Sequence, residues 1–447
     1  MKTTNAKTRY HLCLVVLAAW LLGSGAGLAG DDGHNPITRQ LMSLGEANPE
    51  IQGMLERSIA EAGKANPDPK TNPVRNLSDY YDFIDRASEL IPKDVLENPS
   101  SLTRDQILQS ICYFYFLVDQ PLAELKGRGL FNNTIQYYGP FSAWLRDFAN
   151  AWGAFLDTEV SWNEAVYQQF LDDPNFGLQK GWYEASTNWN TFNRFFSRYL
   201  RSPDMRPIAS PDDPAVIVSP ADSVPQGMWA IDENSNIRVD GGLKVKLATF
   251  FNIKDLLGED SAYKEAFARG ILTHTFLNVN DYHRYHFAVG GTIREKKVIT
   301  RNVALEVEWS PEQGRYIPID STGWQFSQTL GYVIVETEEY GLVALIPMGM
   351  AQVSSVNFED NVEVGATRTK GDTLGTFLFG GSDFIMLFQE KAGFEITAPI
   401  EHGIATKPDA DHGRQVTTYQ HVLMGEAYGV MRGQAASGAY MAAPPPP

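Results

Sequence analysis

The spacing of apolar positions changes partway along the chain. Tyr80, Phe83, Ile84, Ala87, Leu90 and Ile91 recur at helical intervals, and the pattern continues to about residue 178. It predicts helices here and over 104–117, 140–155 and 162–171, the last with Ser161 as its N-cap. Before it, residues 31–75 are polar and punctuated by Pro and Gly, which predicts a lead-in with one short helix over 48–60 and then a linker. From about residue 215 the apolar residues gather into short β-type runs: AVIVS, LKVKLATFF, ALEVEW, YVIVET, LVALIPM and FIMLF. Turn residues separate them, as in a sandwich or barrel-like β fold. The fold class expected is α+β, with a helical accessory domain over 76–188 and a β-rich domain over 189–433. Residues 434–447 are low in complexity and expected to be disordered.

At the junction of the two patterns, Trp189, Phe192, Phe195, Phe196, Tyr199 and Leu200 keep helical spacing, with Arg194, Arg198 and Arg201 interleaved. Two readings stand: an amphipathic helix over 189–201 making peripheral membrane contact, or a core-facing aromatic stripe bordered by solvated arginines, which the usual amphipathic pattern favours.

The N-terminus bears on where the protein works. Lys2, Lys7 and Arg9 precede an apolar stretch, LCLVVLAAWLL, and small residues follow it. This is the order of a secretory signal over residues 1–30, cleaved near Ala29 or Gly30, with an uncleaved membrane anchor as the alternative, so the protein is expected to be exported. The apolar stretch is short for a membrane span. Loss of the signal removes Cys13 and leaves Cys112, in the apolar context ICYFYFLV, as an expected buried and inert thiol. The full chain of 447 residues carries 37 basic and 54 acidic residues; without the signal the net charge falls from −17 to −20. A nucleic-acid partner is therefore not expected, because a polyanion gains affinity from basic surface.

Three stretches could carry chemistry. In DYHRYH, His283 and His286 lie three apart, which alone is half a metal site whose remaining ligands, Glu401-His402 or Asp411-His412, nothing fixes in place; no metal is expected. In IVSPAD, Asp222 ends an apolar run, where it can orient a histidine or merely form a turn. In KGDTLGTFLFGGSDFIMLF, Gly380-Gly381-Ser382 lies between two strand-like runs. It lacks the lysine of a phosphate-cradling loop and the second glycine of a nucleophile elbow. A serine nucleophile here must attack something other than a conventional acyl substrate.

Taken in order, TFNRFFSRYLRSPDMRPI (191–208), IVSPAD (217–222), DYHRYH (281–286) and KGDTLGTFLFGGSDFIMLF (370–388) resemble the phosphatidylserine decarboxylase family of pyruvoyl enzymes. The helical region before them resembles the accessory domain of a branch that includes soluble amino-acid decarboxylases, tryptophan decarboxylases among them. The resemblance implies a β-rich catalytic core that cuts itself between Gly381 and Ser382. Ser382 attacks the Gly381 carbonyl, the amide becomes an ester, and elimination leaves the serine remnant as a pyruvoyl cofactor. A large chain and a small chain of 66 residues then stay associated. In this picture His286 is the base, Asp222 fixes its tautomer, and His283 assists proton transfer at decarboxylation, where a group titrating near neutrality suits the task. The substrate implied is an amine-bearing carboxylate: phosphatidylserine, giving phosphatidylethanolamine, or alternatively a free, aromatic amino acid. A non-catalytic secreted binding protein on the same fold is the competing class. Three departures stand out: Ser223 after Asp222, Ala288 and Gly290 in the loop after His286, and Asp383 after Ser382. Asp383 either disfavours the serine alkoxide by like-charge repulsion or helps remove ammonia later.

Overall fold

The computed structural model describes residues 33–92, 103–237, 252–319, 324–350, 356–401 and 418–433. The signal, the C-terminal tail, the run LKVKLATFF, His402 and Asp411-His412 lie outside the described residues.

The N-terminal half is helical: α1 (Pro36–Ala47), α2 (Pro49–Ala65), α3 (Leu77–Ser88), α4 (Thr103–Phe116), α5 (Gly139–Leu156), α6 (Glu164–Asp172) and the short α7 (Phe192–Phe196). Before residue 76 there are two helices where one short one was expected: α2 answers to the expected 48–60, α1 precedes it, and a non-helical stretch follows residue 65 in the place of the linker. Pro36 and Pro49 each occupy a first-turn position, where a missing N–H costs nothing and the fixed φ favours the helix. Ile37, Leu41, Ile51, Met54, Leu55 and Ile59 bury into the same core as Phe141, Trp144 and Phe148 of α5. The cap of α6 is also displaced from the expected residue. Asn163 accepts from the Val166 amide, while Ser161 Oγ donates back to Leu156 O and accepts from Phe192 N.

The C-terminal half contains one further helix, α8 (Ile253–Leu257), and the strands β1 (Val216–Val218), β2 (Val224–Ala230), β3 (Ile271–Leu277), β4 (Arg284–His286), β5 (Gly291–Ile299), β6 (Glu306–Ser310), β7 (Arg315–Ile319), β8 (Thr329–Glu336), β9 (Leu342–Met350), β10 (Asn357–Phe358), β11 (Thr367–Arg368), β12 (Thr373–Thr376), β13 (Gly381–Phe388), β14 (Phe394–Ile396) and β15 (Ala427–Met431). The main sheet has seven antiparallel strands in the order β11-β5-β8-β9-β13-β3-β2. Side chains alternate across it. Val333, Val335, Val343, Leu345, Phe384, Met386 and Phe388 pack on one face beneath the small sheets β1-β15-β14 and β10-β12-β4. Ile334, Ala344, Ile346, Ile385 and Leu387 pack on the other face with Ile253, Leu256 and Leu257 of α8. This layering matches a sandwich; among the described residues the main sheet ends at β11 and β2 without closing as a barrel.

The ribbon β6-β7 joins the halves. Gln109 of α4 exchanges two 2.8 Å hydrogen bonds with the Tyr316 backbone, and Asp119 accepts from Val307 N at 2.7 Å.

Candidate active site

Four segments far apart in sequence meet at the junction of the helical half and the main sheet. The segment 191–208 supplies Arg198 and Arg206. Both are fully buried; of the solvated arginine border expected here, Arg194 and Arg201 are exposed and Arg198 is not. Arg198 donates to Asn280 O and Asp281 O at 3.3 and 3.2 Å, and its guanidinium lies 4.3 Å over the Tyr183 ring. Only residues 192–196 of the stripe are helical, and the chain then turns back so that Leu200 bridges Tyr183. Trp189, Phe192, Phe195 and Phe196 are buried in the aromatic core, and Tyr199 is exposed.

Arg206 holds Asp222. Its Nε and terminal nitrogen donate to the two carboxylate oxygens at 2.9 and 2.5 Å, a bidentate pair buried on both sides. Asp222 Oδ1 also accepts from Met424 N at 2.8 Å. The carboxylate is thus committed to Arg206 and the Met424 amide, and it does not fix the tautomer of His286. That task falls to a backbone carbonyl: His286 Nδ1 donates to Gly371 O at 2.8 Å. Gly371 sits at φ +90°, a left-handed conformation suited to glycine. The lone pair is thereby left on Nε2, which faces the Tyr282 hydroxyl at 3.3 Å. Burial pushes the His286 pKa down to about 4, so the ring is neutral at physiological pH.

The same elements are stitched through the backbone. His286 N donates to Pro220 O at 2.7 Å, Phe287 N to Asp372 O at 2.8 Å and Gly371 N to Phe287 O at 2.8 Å. His286 pairs with Thr373 where β4 meets β12.

His283 lies in extended backbone just before β4 rather than on a helix face. Its Nδ1 donates to Asp281 O at 2.9 Å and its ring stacks on Phe196 at 3.9 Å. Nε2 is buried without a partner. Burial, reinforced by the positive Arg198, holds its pKa near 3, so it is a neutral imidazole and not a group that titrates near neutrality. Its own carbonyl accepts from Phe377 N at 3.0 Å, at the turn that leads to β13.

Ser382 is the second residue of β13, paired with Gly349 of β9 and Leu277 of β3. Its hydroxyl is buried and makes no hydrogen bond, so the structure does not join it to His286 or His283. Gly380, two residues before Ser382, sits at φ +146°, a backbone position that a side chain would strain. Phe379 anchors this turn in the helical core, edge-on to Phe192 and Phe196 at 5.2 and 5.1 Å.

Two pairs here are absent from the sequence reading. His421 Nε2 meets Asp281 Oδ1 at 2.9 Å. Burial opposes charge on both, yet contact with Asp281 leaves the His421 pKa raised. His274 of β3 meets Asp383 of β13 at 2.8 Å, with both side chains buried. No local signal marks either pair: the partners are 140 and 109 residues apart.

The sequence pattern of the phosphatidylserine decarboxylase family matches residues 192–429, more than half of the chain. Decarboxylase iboD of Amanita muscaria is 26% identical over 281 residues, covering 56% of this chain and 78% of that protein. A phosphatidylserine decarboxylase proenzyme of Alcanivorax borkumensis is 29% identical over 285 residues, 58% of this chain and 88% of that protein. Phosphatidylserine decarboxylase proenzyme 2 of Oryza sativa subsp. japonica is 32% identical over 206 residues, and the match spans 30% of its length.

Proposed function

The chain belongs to the phosphatidylserine decarboxylase family and is a decarboxylase, a carbon–carbon lyase; from that premise we propose that it is a self-processing enzyme whose pyruvoyl group comes from Ser382. The observation that carries this reading is the partnerless, buried Ser382 hydroxyl beside Gly380-Gly381, at the meeting point of the four family-like segments. A buried hydroxyl without a partner costs free energy and needs a reason. Self-cleavage is one, and the orphaned Nε2 of His283 fits a site arranged around a further polar group.

His286 takes the Ser382 proton. Its Nδ1–H is engaged by Gly371 O, so the lone pair is on Nε2, and burial keeps the ring neutral and able to accept. No hydrogen bond joins Nε2 to the serine in the uncut chain, so the transfer needs the two brought together. The Ser382 oxygen then bonds to the Gly381 carbonyl carbon and the Gly381–Ser382 C–N bond breaks, leaving an ester and a free amine. Elimination breaks the Ser382 Cβ–Oγ bond to give a Gly381 carboxylate and a dehydroalanine, which water hydrolyses to the pyruvoyl ketone with release of ammonia. Asp222 ties the 217–222 segment to Arg206 and the Met424 amide, and Pro220 O, accepting from His286 N, joins that segment to β4. The pyruvoyl group supplies an electron-withdrawing carbonyl that a substrate amine can engage as CO₂ departs. His283, stacked on Phe196, orients that region and offers a neutral acceptor.

Phosphatidylserine and a free amino acid present the same α-amino carboxylate. Burial of Trp189, Phe192, Phe195 and Phe196 removes the lipid-facing stripe that the sequence suggested and favours the free amino acid. Export is part of the proposal and rests on the charged-then-apolar order of residues 1–30; N-terminal sequencing of the large chain checks it.

Intact mass tests the central step. Wild-type protein should give a large chain ending at Gly381 and a small chain of 66 residues that a carbonyl reagent captures, and Ser382→Ala should stay whole. A single uncut wild-type chain refutes the reading and leaves a binding protein on this fold. CO₂ release from phosphatidylserine vesicles and from free aromatic amino acids separates the two substrates.

A further inference from the structure

Residues 382 and 383 point to opposite faces of the main sheet. Ser382 shares its face with Phe384 and Met386, beneath the small sheets, and Asp383 shares the other with Ile385 and Leu387. That second face is apolar: Ile346, Met348 and Leu272 also lie there. A carboxylate on the central strand of such a face is costly unless it is paired and hydrogen-bonded. Asp383 has one partner. His274, diagonal to it across the β3–β13 ladder, where Ile385 faces His274 and Asp383 faces Phe276, meets Oδ2 through Nε2 at 2.8 Å. The other oxygen, Oδ1, is buried and has no partner.

Self-cleavage creates a charge next to this orphan. When the acyl group moves from nitrogen to Oγ, the Gly381–Ser382 C–N bond breaks, a C–O bond forms, and Ser382 nitrogen becomes an amine. The amine gains a proton and is cationic at neutral pH, since a free α-amino group titrates near 8. Asp383 is one residue away, fixed at one oxygen by His274 and open at the other.

We propose that Asp383, held in place by His274, is the positioning carboxylate that stabilises the amine released at Ser382 and so drives the precursor toward the ester. This rests on the self-cleavage reading of Ser382. It resolves the two opposed effects expected of Asp383: the carboxylate faces away from the serine oxygen, and its partner fixes that orientation.

The test follows cleavage of newly made full-length precursor by intact mass, with neutral hydroxylamine, which splits esters, added to parallel samples. Asp383→Asn, nearly isosteric, should slow cleavage by roughly ten- to a hundredfold, the scale of a lost hydrogen bond to a charged group. His274→Gln should slow it in the same direction, and the double variant should be no slower than Asp383→Asn alone, because both act through one carboxylate. The hydroxylamine-sensitive fraction should fall in all three. Wild-type cleavage rates in Asp383→Asn or His274→Gln overturn the proposal. So does an unchanged hydroxylamine-sensitive fraction, which is what a pair serving only sheet stability would give. Melting temperatures of the same substitutions in the Ser382→Ala chain confirm that each precursor is folded. An uncut wild-type chain would instead refute the parent reading.

Discussion

Phe379 lies edge-on to Trp152 of α5 at 5.2 Å, which ties the turn before β13 to the N-terminal helices. On the self-cleavage reading, the helical half would steady the turn that precedes Ser382. Phe379→Ala should destabilise the Ser382→Ala precursor by about 3–5 kcal/mol, the usual range for a buried phenylalanine. In the parent chain it should slow cleavage, and Phe379→Leu should retain most of both. Denaturant midpoints and intact-mass time courses measure the two effects.

The Arg206–Asp222 pair predicts a large stability effect at low chemical cost. Asp222→Asn leaves Arg206 charged and buried, which should cost about 3–5 kcal/mol. The exposed Arg57–Glu124 pair provides the contrast: Arg57→Ala should cost about 1 kcal/mol or less. Urea unfolding of both variants checks the ratio.

Gly371 is where backbone geometry sets histidine chemistry. Its φ of +90° disfavours a side chain, and an added Cβ would come within 2.5 Å of Ile208 Cδ1. Gly371→Ala should therefore displace the carbonyl that holds His286 Nδ1 and slow self-cleavage without removing any side-chain group. Nitrogen-15 imidazole shifts should show His286 losing its single tautomer.

The depressed histidines set an acid limit. His286 and His283 bind protons near pH 4 and 3 in the folded chain, against 6.5 when unfolded. Between those values the unfolded chain binds more protons, so stability rises with pH. Their contribution is complete above about 6.5 and is lost as pH falls toward 4 and then 3. Each unit of depression corresponds to about 1.4 kcal/mol. Unfolding of Ser382→Ala between pH 7 and 4 should show this slope, and His286→Gln should flatten it.

The strands at 332–337, 342–348 and 384–388 were legible because uninterrupted apolar runs with turn residues at their ends suit a buried strand of a layered sheet. The four family-like segments were legible as motifs, and they do converge. Their connections were not. Nothing local indicates that Asp222 belongs to Arg206, or that a glycine carbonyl 85 residues away orients His286. Pro36 read as punctuation because a sequence alone does not distinguish a helix-starting proline from a breaker. Asp383 looked like an isolated oddity until β3 brought His274 beside it.

Strand β13 lies between β9 and β3, in the interior of the seven-stranded sheet. After a cut at Gly381–Ser382 all of the strand but Gly381 would belong to the small chain and both neighbours to the large one. The precursor assembles this arrangement as one molecule, with the strand at high effective concentration. The cut enzyme has lost that advantage: once melted, its halves must find each other in solution with a gap in the sheet exposed. Maturation would then trade reversible folding for durability set by an unfolding rate, and a heated sample of the mature enzyme would not recover on cooling although its uncut Ser382→Ala counterpart would.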